Sequence, residues 1–181
     1  TQTLPELLDS APRMQALGLP VLAADAYRRA LELGAQEIGI RVPYALAIIG
    51  SGGSISEAIG LTRRAVDSGA GYTEIVRVFE GLVEHGNLSG ALDVSQIALQ
   101  IAPTDGAREA NFRAASDFAR REGEIDIIME LSTAYLSVVD DQLRATRIVA
   151  DVLGDAGQWT AAVQRISGAL DRFGEDAGLL S

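Results

Sequence analysis

A glycine recurs five times along this chain, and after four of the five an alanine stands at each of two fixed distances. The glycines are Gly18, Gly53, Gly86, Gly123 and Gly157. Five residues later stand Ala23, Ala58, Ala91, Ile128 and Ala162, and twelve residues later stand Ala30, Ala65, Ala98, Tyr135 and Ala169. Successive glycine numbers differ by 35, 33, 37 and 34. This spacing predicts an array of helical repeats rather than a closed globular core.

Apolar periodicity predicts two helices in each repeat. In the first repeat Ala23, Tyr27 and Ala30 follow the i, i+4, i+7 spacing of one helix face. Glycine suits the break between the two helices, and alanine at the recurring positions lets their axes approach closely. The predicted helices are 4–17, 20–33, 37–50, 54–69, 72–85, 88–102, 105–122, 125–139, 142–155 and 159–173. The N-cap candidates are Ser54, Thr104 or Asp105, and Asp141. No alternating strand pattern competes, so the predicted class is all-α.

Composition narrows the function classes. The formal net charge is −10, and nonspecific binding to nucleic acid depends on an excess of cations, so a nucleic-acid partner is not expected. No run approaches the roughly eighteen apolar residues that a membrane span needs, so direct membrane insertion is not expected. The chain has no cysteine, which excludes a thiolate metal site. All fifteen cationic residues are arginine and none is lysine, which is most simply explained by codon bias.

Two features invite a catalytic or cofactor interpretation, and simpler ones are favoured for both. His85, the only histidine, precedes Gly86 at a predicted helix end, where it is expected to serve as a cation or hydrogen-bond donor near the last carbonyls. The glycine-rich run 50–54 lacks the lysine of a phosphate-binding loop and falls at an inter-helix turn. The sequence therefore predicts no enzyme, no cofactor and no metal site.

These repeats resemble tetratricopeptide repeats, from about Leu4 to Gly174. The first repeat carries the resemblance in Gly18, Ala23, Tyr27 and Ala30, the third in Phe79, Leu82, Gly86, Ala91, Ala98 and Pro103, and the fifth in Gly157, Trp159, Ala162 and Ala169. The resemblance implies a single domain over 1–181, a right-handed α-solenoid of about ten antiparallel helices. The repeats would span about 4–36, 37–71, 72–104, 105–140 and 141–175. The fourth repeat departs from the pattern at Ile128 and Tyr135, so its helix pair is expected to be splayed or rotated.

The resemblance further implies that the first helix of each repeat lines an inner, concave wall. Repeats one to three would present Leu8, Gln15, Ile40, Ala47, Thr73, Val76, Glu80 and Val83. Repeats four and five would present Arg113, Asp117, Arg120, Arg121, Arg144, Arg147 and Asp151. One interpretation is a solvated face of arginines paired with nearby carboxylates. The other is a basic half-groove that receives carboxylates from a partner. The lysine and asparagine clamp of chaperone-binding relatives is excluded, because the chain has no lysine and its two asparagines, Asn87 and Asn111, fall elsewhere.

The sequence thus predicts a non-catalytic scaffold that binds a protein or peptide segment, with an acidic segment as one candidate, in a concave groove. The alternative is the repeat region of a larger enzyme or secretion component, of glycosyltransferase or polysaccharide-export type. The chain begins without methionine and carries no polar cap at its end, so we expect a fragment of a longer protein. Self-association through a face with Val163, Ile166 and Leu170 is also expected. Both cytoplasm and periplasm remain open as compartments.

Overall fold

The computed structural model describes residues 2–35 and 39–173, and within these ranges it contains ten α-helices and no strand. The helices are α1 (Leu4–Ala16), α2 (Pro20–Glu32), α3 (Arg41–Gly50), α4 (Ile55–Asp67), α5 (Tyr72–Glu84), α6 (Leu88–Ile101), α7 (Asp105–Arg121), α8 (Ile125–Val138), α9 (Gln142–Asp155) and α10 (Trp159–Phe173). The all-α prediction is confirmed. Predicted and observed helix ends agree within two residues, except at the start of α3.

The predicted start of α3 at residue 37 is wrong. Residues 37 and 38 lie outside the described ranges, and Gly39 and Ile40 form a turn before the helix begins at Arg41. The φ of Gly39 is +88°, a left-handed conformation that cannot continue an α-helix. Ile40 is a buried apolar residue within this turn, so the apolar periodicity of the sequence extends beyond the observed start of the helix.

The chain forms two compact units, Thr1–Ile97 and Ala98–Ser181. In the first unit α1 packs on α2 and α3 packs on α4, while α3 also contacts α2 and α5. In the second unit α7 packs on α8 and α9 on α10, and α9 also contacts α7 and α8. Each unit therefore repeats one arrangement, in which a helix pair is contacted by the first helix of the following pair. A single domain over 1–181 remains a prediction.

The recurring small positions lie in the cores of these units. Eight of the ten are alanines, and none of the eight is more than 6% exposed; they are Ala23, Ala30, Ala58, Ala65, Ala91, Ala98, Ala162 and Ala169. The predicted N-caps are present too: the side chains of Ser54, Thr104 and Asp141 accept hydrogen bonds from backbone N–H groups in the first turns of α4, α7 and α9. The sequence grid is therefore a packing pattern.

The second repeat differs at its turn, where two adjacent glycines have separate structural roles. The left-handed residue is Gly52, with φ of +68°, whereas Gly53, the glycine of the sequence grid, is not left-handed. A Cβ at Gly53 would lie 3.0 Å from Ile48 Cγ2 and 3.3 Å from its carbonyl oxygen. Gly53 is thus needed for a close approach, and Gly52 for the turn itself.

The fourth repeat accommodates its two large residues by burying both. Ile128 and Tyr135 on α8 are at most 1% exposed, and the Tyr135 ring stacks on Phe112 of α7 with centroids 4.7 Å apart. Burial, together with the charges of Glu109 and Asp105, raises the pKa of Tyr135 to about 12. An aromatic pair therefore fills the α7–α8 interface at a position where the other repeats carry alanine. A splayed or rotated pair remains a prediction.

Candidate protein-interaction site

The site is built on α7, the first helix of the fourth repeat. Its capped first residue is Asp105, and its apolar side is buried through residues that include Phe112, Ala115 and Ala119. The opposite side exposes Arg113, Asp117, Arg120 and Arg121, while their place on a concave wall remains a prediction. These residues share that side because three- and four-residue steps return to one helix face.

Polar contacts join α7 to α9 across one repeat length. The carboxylate of Asp105 accepts hydrogen bonds from the backbone N–H groups of Asp140 and Asp141, at 3.2 and 3.3 Å, and from Arg108 Nη1 at 2.7 Å. The Arg108 bond, reinforced by the two backbone bonds, lowers the pKa of Asp105. One turn further on, Arg144 Nη2 donates to Glu109 Oε2 at 2.7 Å. The exposed polar residues of α7 and α9 therefore form one continuous surface.

The arginines of this surface share a small number of carboxylates. Glu109 pairs with Arg144 and with Arg113, whose Nε lies 3.0 Å from Glu109 Oε1. Asp117 pairs with Arg120 at 2.5 Å and with Arg121 at 3.4 Å. These ion pairs are those that a solvated face would have. Two carboxylates nevertheless serve four guanidinium groups, so Glu109 and Asp117 are each shared by two arginines.

Two further predicted residues lie on α9. Arg147 and Asp151 are both exposed, and Arg147 makes an interaction of its own. The predicted arginines of the two helices are Arg113, Arg120, Arg121, Arg144 and Arg147. The structure brings them onto adjacent helices of one unit, while their role in binding remains a prediction.

A cleft of about 160 Å³ opens between α7 and α9. Its lining residues are Arg113, Ser116, Asp117, Arg120, Ile128, Val152 and Asp155, and it is called the Ser116 cleft below. Ser116 is 2% exposed, and its hydroxyl has no hydrogen-bond partner. Sequence reasoning missed this residue, although one signal was available: a polar side chain among core-facing alanines, between Arg113 and Arg120.

A larger groove, of about 410 Å³, lies between α8 and α10 and differs in chemistry. It contains Arg165 and Arg172, but the hydroxyls of Thr133, Ser137 and Thr146 already donate to backbone carbonyls. Arg172 makes a further interaction. None of these hydroxyls therefore has a donor left for a ligand, which makes the Ser116 cleft the better candidate.

The predicted wall residues of the first unit give a mixed outcome. On α5, Glu80 is exposed while Val76 and Val83 are half-buried, so all three can contribute to a surface. The expectation for Ile40 and Ala47 is wrong, because they are 8% and 0% exposed. Both are buried because α3 contacts α2, α4 and α5, which leaves little of this helix at the surface.

The two features for which a catalytic or cofactor role was disfavoured have structural roles. His85 is the C-cap of α5, and its Nδ1 lies 2.8 Å from the carbonyl oxygen of Gly81. The glycine-rich run is the α3–α4 turn, where the Ser54 hydroxyl accepts from the Glu57 N–H.

The face of α10 exposes apolar side chains, in part as predicted. Trp159 is 69% exposed and Val163 is 60% exposed, whereas Ile166 and Leu170 are half-buried. Trp159, Val163 and Ile166 line a cleft of about 580 Å³ together with Ala150 and Gly154 of α9. This end of the second unit therefore offers apolar surface to a partner.

No protein-family model and no curated protein sequence matches the chain. Solved structures do match. A crystal structure of MamA protein is 15% identical with a TM-score of 0.50, over 93% of this chain and 90% of that one. A second MamA structure is 15% identical, with a TM-score of 0.47 over 89% and 92% of the two chains. TTC0263, a thermophilic TPR protein of Thermus thermophilus, is 19% identical, with a TM-score of 0.44 over 98% and 95%.

The observed architecture defines the class: an all-α protein built of repeated helix pairs. The chain has the fold of tetratricopeptide-repeat proteins, as the resemblance of its repeats implied. At 15% identity the similarity concerns the fold alone. None of the described helices is both long enough and apolar enough to cross a membrane.

Proposed function

We propose that this protein is a non-catalytic protein-interaction scaffold, and that the surface of α7 and α9 binds an acidic peptide segment of a partner. The observation that carries the proposal is the shared use of Glu109 and Asp117, each by two arginines. An incoming carboxylate can complete this network, because each guanidinium has five N–H donors and can bind a carboxylate in a bidentate manner.

The overall charge of the chain makes this surface selective. A cluster of guanidinium groups in a protein of net charge −10 offers an acidic segment one place to bind, while the acidic remainder of the chain repels it. On the first unit, Val76, Glu80 and Val83 of α5 offer a more apolar surface, which we propose contacts a less charged part of the partner.

The test is binding of a fluorescent peptide of alternating Asp and Gly residues to the parent and to Arg113→Ala/Arg120→Ala/Arg147→Ala. We expect the dissociation constant to rise at least about tenfold and to depend less on salt, because charged contacts are lost. The matched control is Arg13→Ala/Arg28→Ala/Arg63→Ala, which removes the same charge from exposed positions of the first unit. If all three proteins bind the peptide with equal affinity and equal salt dependence, the arginines form only a solvated surface and the proposal is wrong.

We also propose self-association of two copies through the α10 face, which the exposure of Trp159 and Val163 supports. Sedimentation of the parent should show dimers at high concentration, and Val163→Glu should shift the equilibrium to monomers. A strict monomer at millimolar concentration would exclude this. The alternative of a larger enzyme or secretion component remains a prediction, which the full-length open reading frame would decide.

A further inference from the structure

One buried hydroxyl among the described residues has no hydrogen-bond partner. Five serine and threonine side chains of those residues are buried, namely Thr62, Ser95, Ser116, Ser132 and Thr146. Thr62, Ser132 and Thr146 each donate to the carbonyl four residues earlier, at 2.7 to 2.8 Å, and Ser95 also makes an interaction. Of these five, Ser116 alone has no partner. Because buried polar groups are almost always hydrogen-bonded, this exception calls for an explanation.

The position of Ser116 suggests a ligand. It lies one helical turn after Arg113 and one turn before Arg120, and all three residues line the Ser116 cleft. Ile128 of α8 and Val152 of α9 provide apolar lining. A cleft of about 160 Å³ is larger than a single water needs, roughly 10–15 Å³, and leaves room for a small side chain.

We propose that the Ser116 cleft receives the side-chain carboxylate of one Asp or Glu residue of the partner peptide; this rests on the function proposed above. Arg113 uses Nε for Glu109, and Arg120 uses Nη2 for Asp117, so each guanidinium retains other N–H groups for a ligand. The Ser116 hydroxyl adds a third donor between them. A carboxylate only accepts hydrogen bonds, so three convergent donors suit it.

Asp155, which lines the cleft from α9, makes this identification testable. A carboxylate ligand is repelled by Asp155, whereas a primary amide could donate a hydrogen bond to it. The two ligand chemistries therefore respond in opposite directions when Asp155 is replaced by asparagine. Asp117 does not discriminate in this way, since both of its oxygens lie against arginines.

The central experiment compares Ser116→Ala with Ser132→Ala, using the peptide of alternating Asp and Gly and a matched peptide of alternating Asn and Gly. Both serines are buried in helices of one unit, but Ser132 donates to the Ile128 carbonyl and does not line the cleft. We expect Ser116→Ala to weaken Asp-peptide binding roughly tenfold, as for a lost hydrogen bond to a charged group, without lowering the unfolding midpoint. Ser132→Ala should lower the unfolding midpoint and leave binding unchanged.

Two further measurements separate the outcomes. Asp155→Asn should tighten binding of the Asp peptide, and the Asn peptide should bind the parent more weakly than the Asp peptide does. The proposal is overturned if Ser116→Ala destabilises the protein as Ser132→Ala does without weakening binding, or if Asp155→Asn weakens binding of the Asp peptide.

Arg121→Ala/Arg144→Ala tests the surface outside the cleft. If this variant loses affinity while Ser116→Ala does not, the carboxylate pocket is wrong and the proposed function stands. If neither variant changes binding, both proposals fail.

Discussion

Helices α5 and α7 occupy equivalent places as first helices of consecutive repeats, yet their buried faces differ. The buried residues of α5 are all apolar: Ile75, Val78, Phe79 and Leu82. The buried residues of α7 include two polar side chains, Asn111 and Ser116. Since α5 shows that an apolar face is enough for a first helix of this kind, the polar groups in α7 are not a requirement of the packing.

The unused hydrogen-bonding capacity of the described chain is concentrated on α7. The buried side-chain atoms with no hydrogen bond are Arg108 Nε, Asn111 Oδ1 and Ser116 Oγ, although Arg108 and Asn111 make other interactions. An unsatisfied buried polar atom costs about 1–3 kcal/mol. Among the described helices, α7 is therefore the one that departs most from packing alone, as expected of a helix that serves binding.

The largest expected effect tests whether both units depend on the alanine grid to the same degree. Ala91→Phe should destabilise the first unit by about 1–3 kcal/mol, because Ala91 is fully buried and has no space for a ring. Ala162→Phe should cost less, because Ala162 also lines the open cleft beside α10. Urea unfolding gives the free energy of unfolding of both variants, and Ala114→Phe at an exposed position is the control for helix propensity. Equal costs for Ala91→Phe and Ala162→Phe would show that the α10 face is covered in solution.

A smaller effect concerns pH. The pKa of Asp105 is lowered in the folded chain, so its contribution to stability is complete above its unfolded pKa of about 3.9 and is lost as pH falls through the lowered value. Asp105→Asn should therefore destabilise the protein at pH 7, and its difference from the parent should shrink below pH 4. On α5 the equivalent helix start is capped locally, by Glu74 accepting from the Gly71 N–H, so this acid sensitivity should be centred on the α8–α9 turn.

The free energy of unfolding is measured between pH 2 and 7 for the parent and Asp105→Asn, with Asp67→Asn as a control that removes the same charge. A difference that stays constant with pH would mean that the contacts from Asp105 to the α8–α9 turn do not contribute to stability.

Most of the fold could be predicted because its signals are local. Helix ends follow from caps such as Thr104 and Asp141, and the small residues identify the packed faces. The errors occurred where non-local packing decided the outcome: Ile40 and Ala47 are covered by neighbouring helices, although their repeat positions suggested an open wall. At the second turn the grid glycine, Gly53, proved to be a contact position, and the left-handed residue is its neighbour Gly52.

Periodicity and residue size act over one or two helical turns, so they were enough to predict the ten described helices, their pairing and the burial of the alanine grid. The sequence also placed the arginines on α7 and α9. Which carboxylates these arginines meet depends on how the helices pack, since Glu109 and Arg144 are 35 residues apart in sequence. The packed helices alone also show that Ser116 is buried in a cleft without a partner, because hydrogen bonds depend on distances between atoms of different helices, which no sequence pattern specifies.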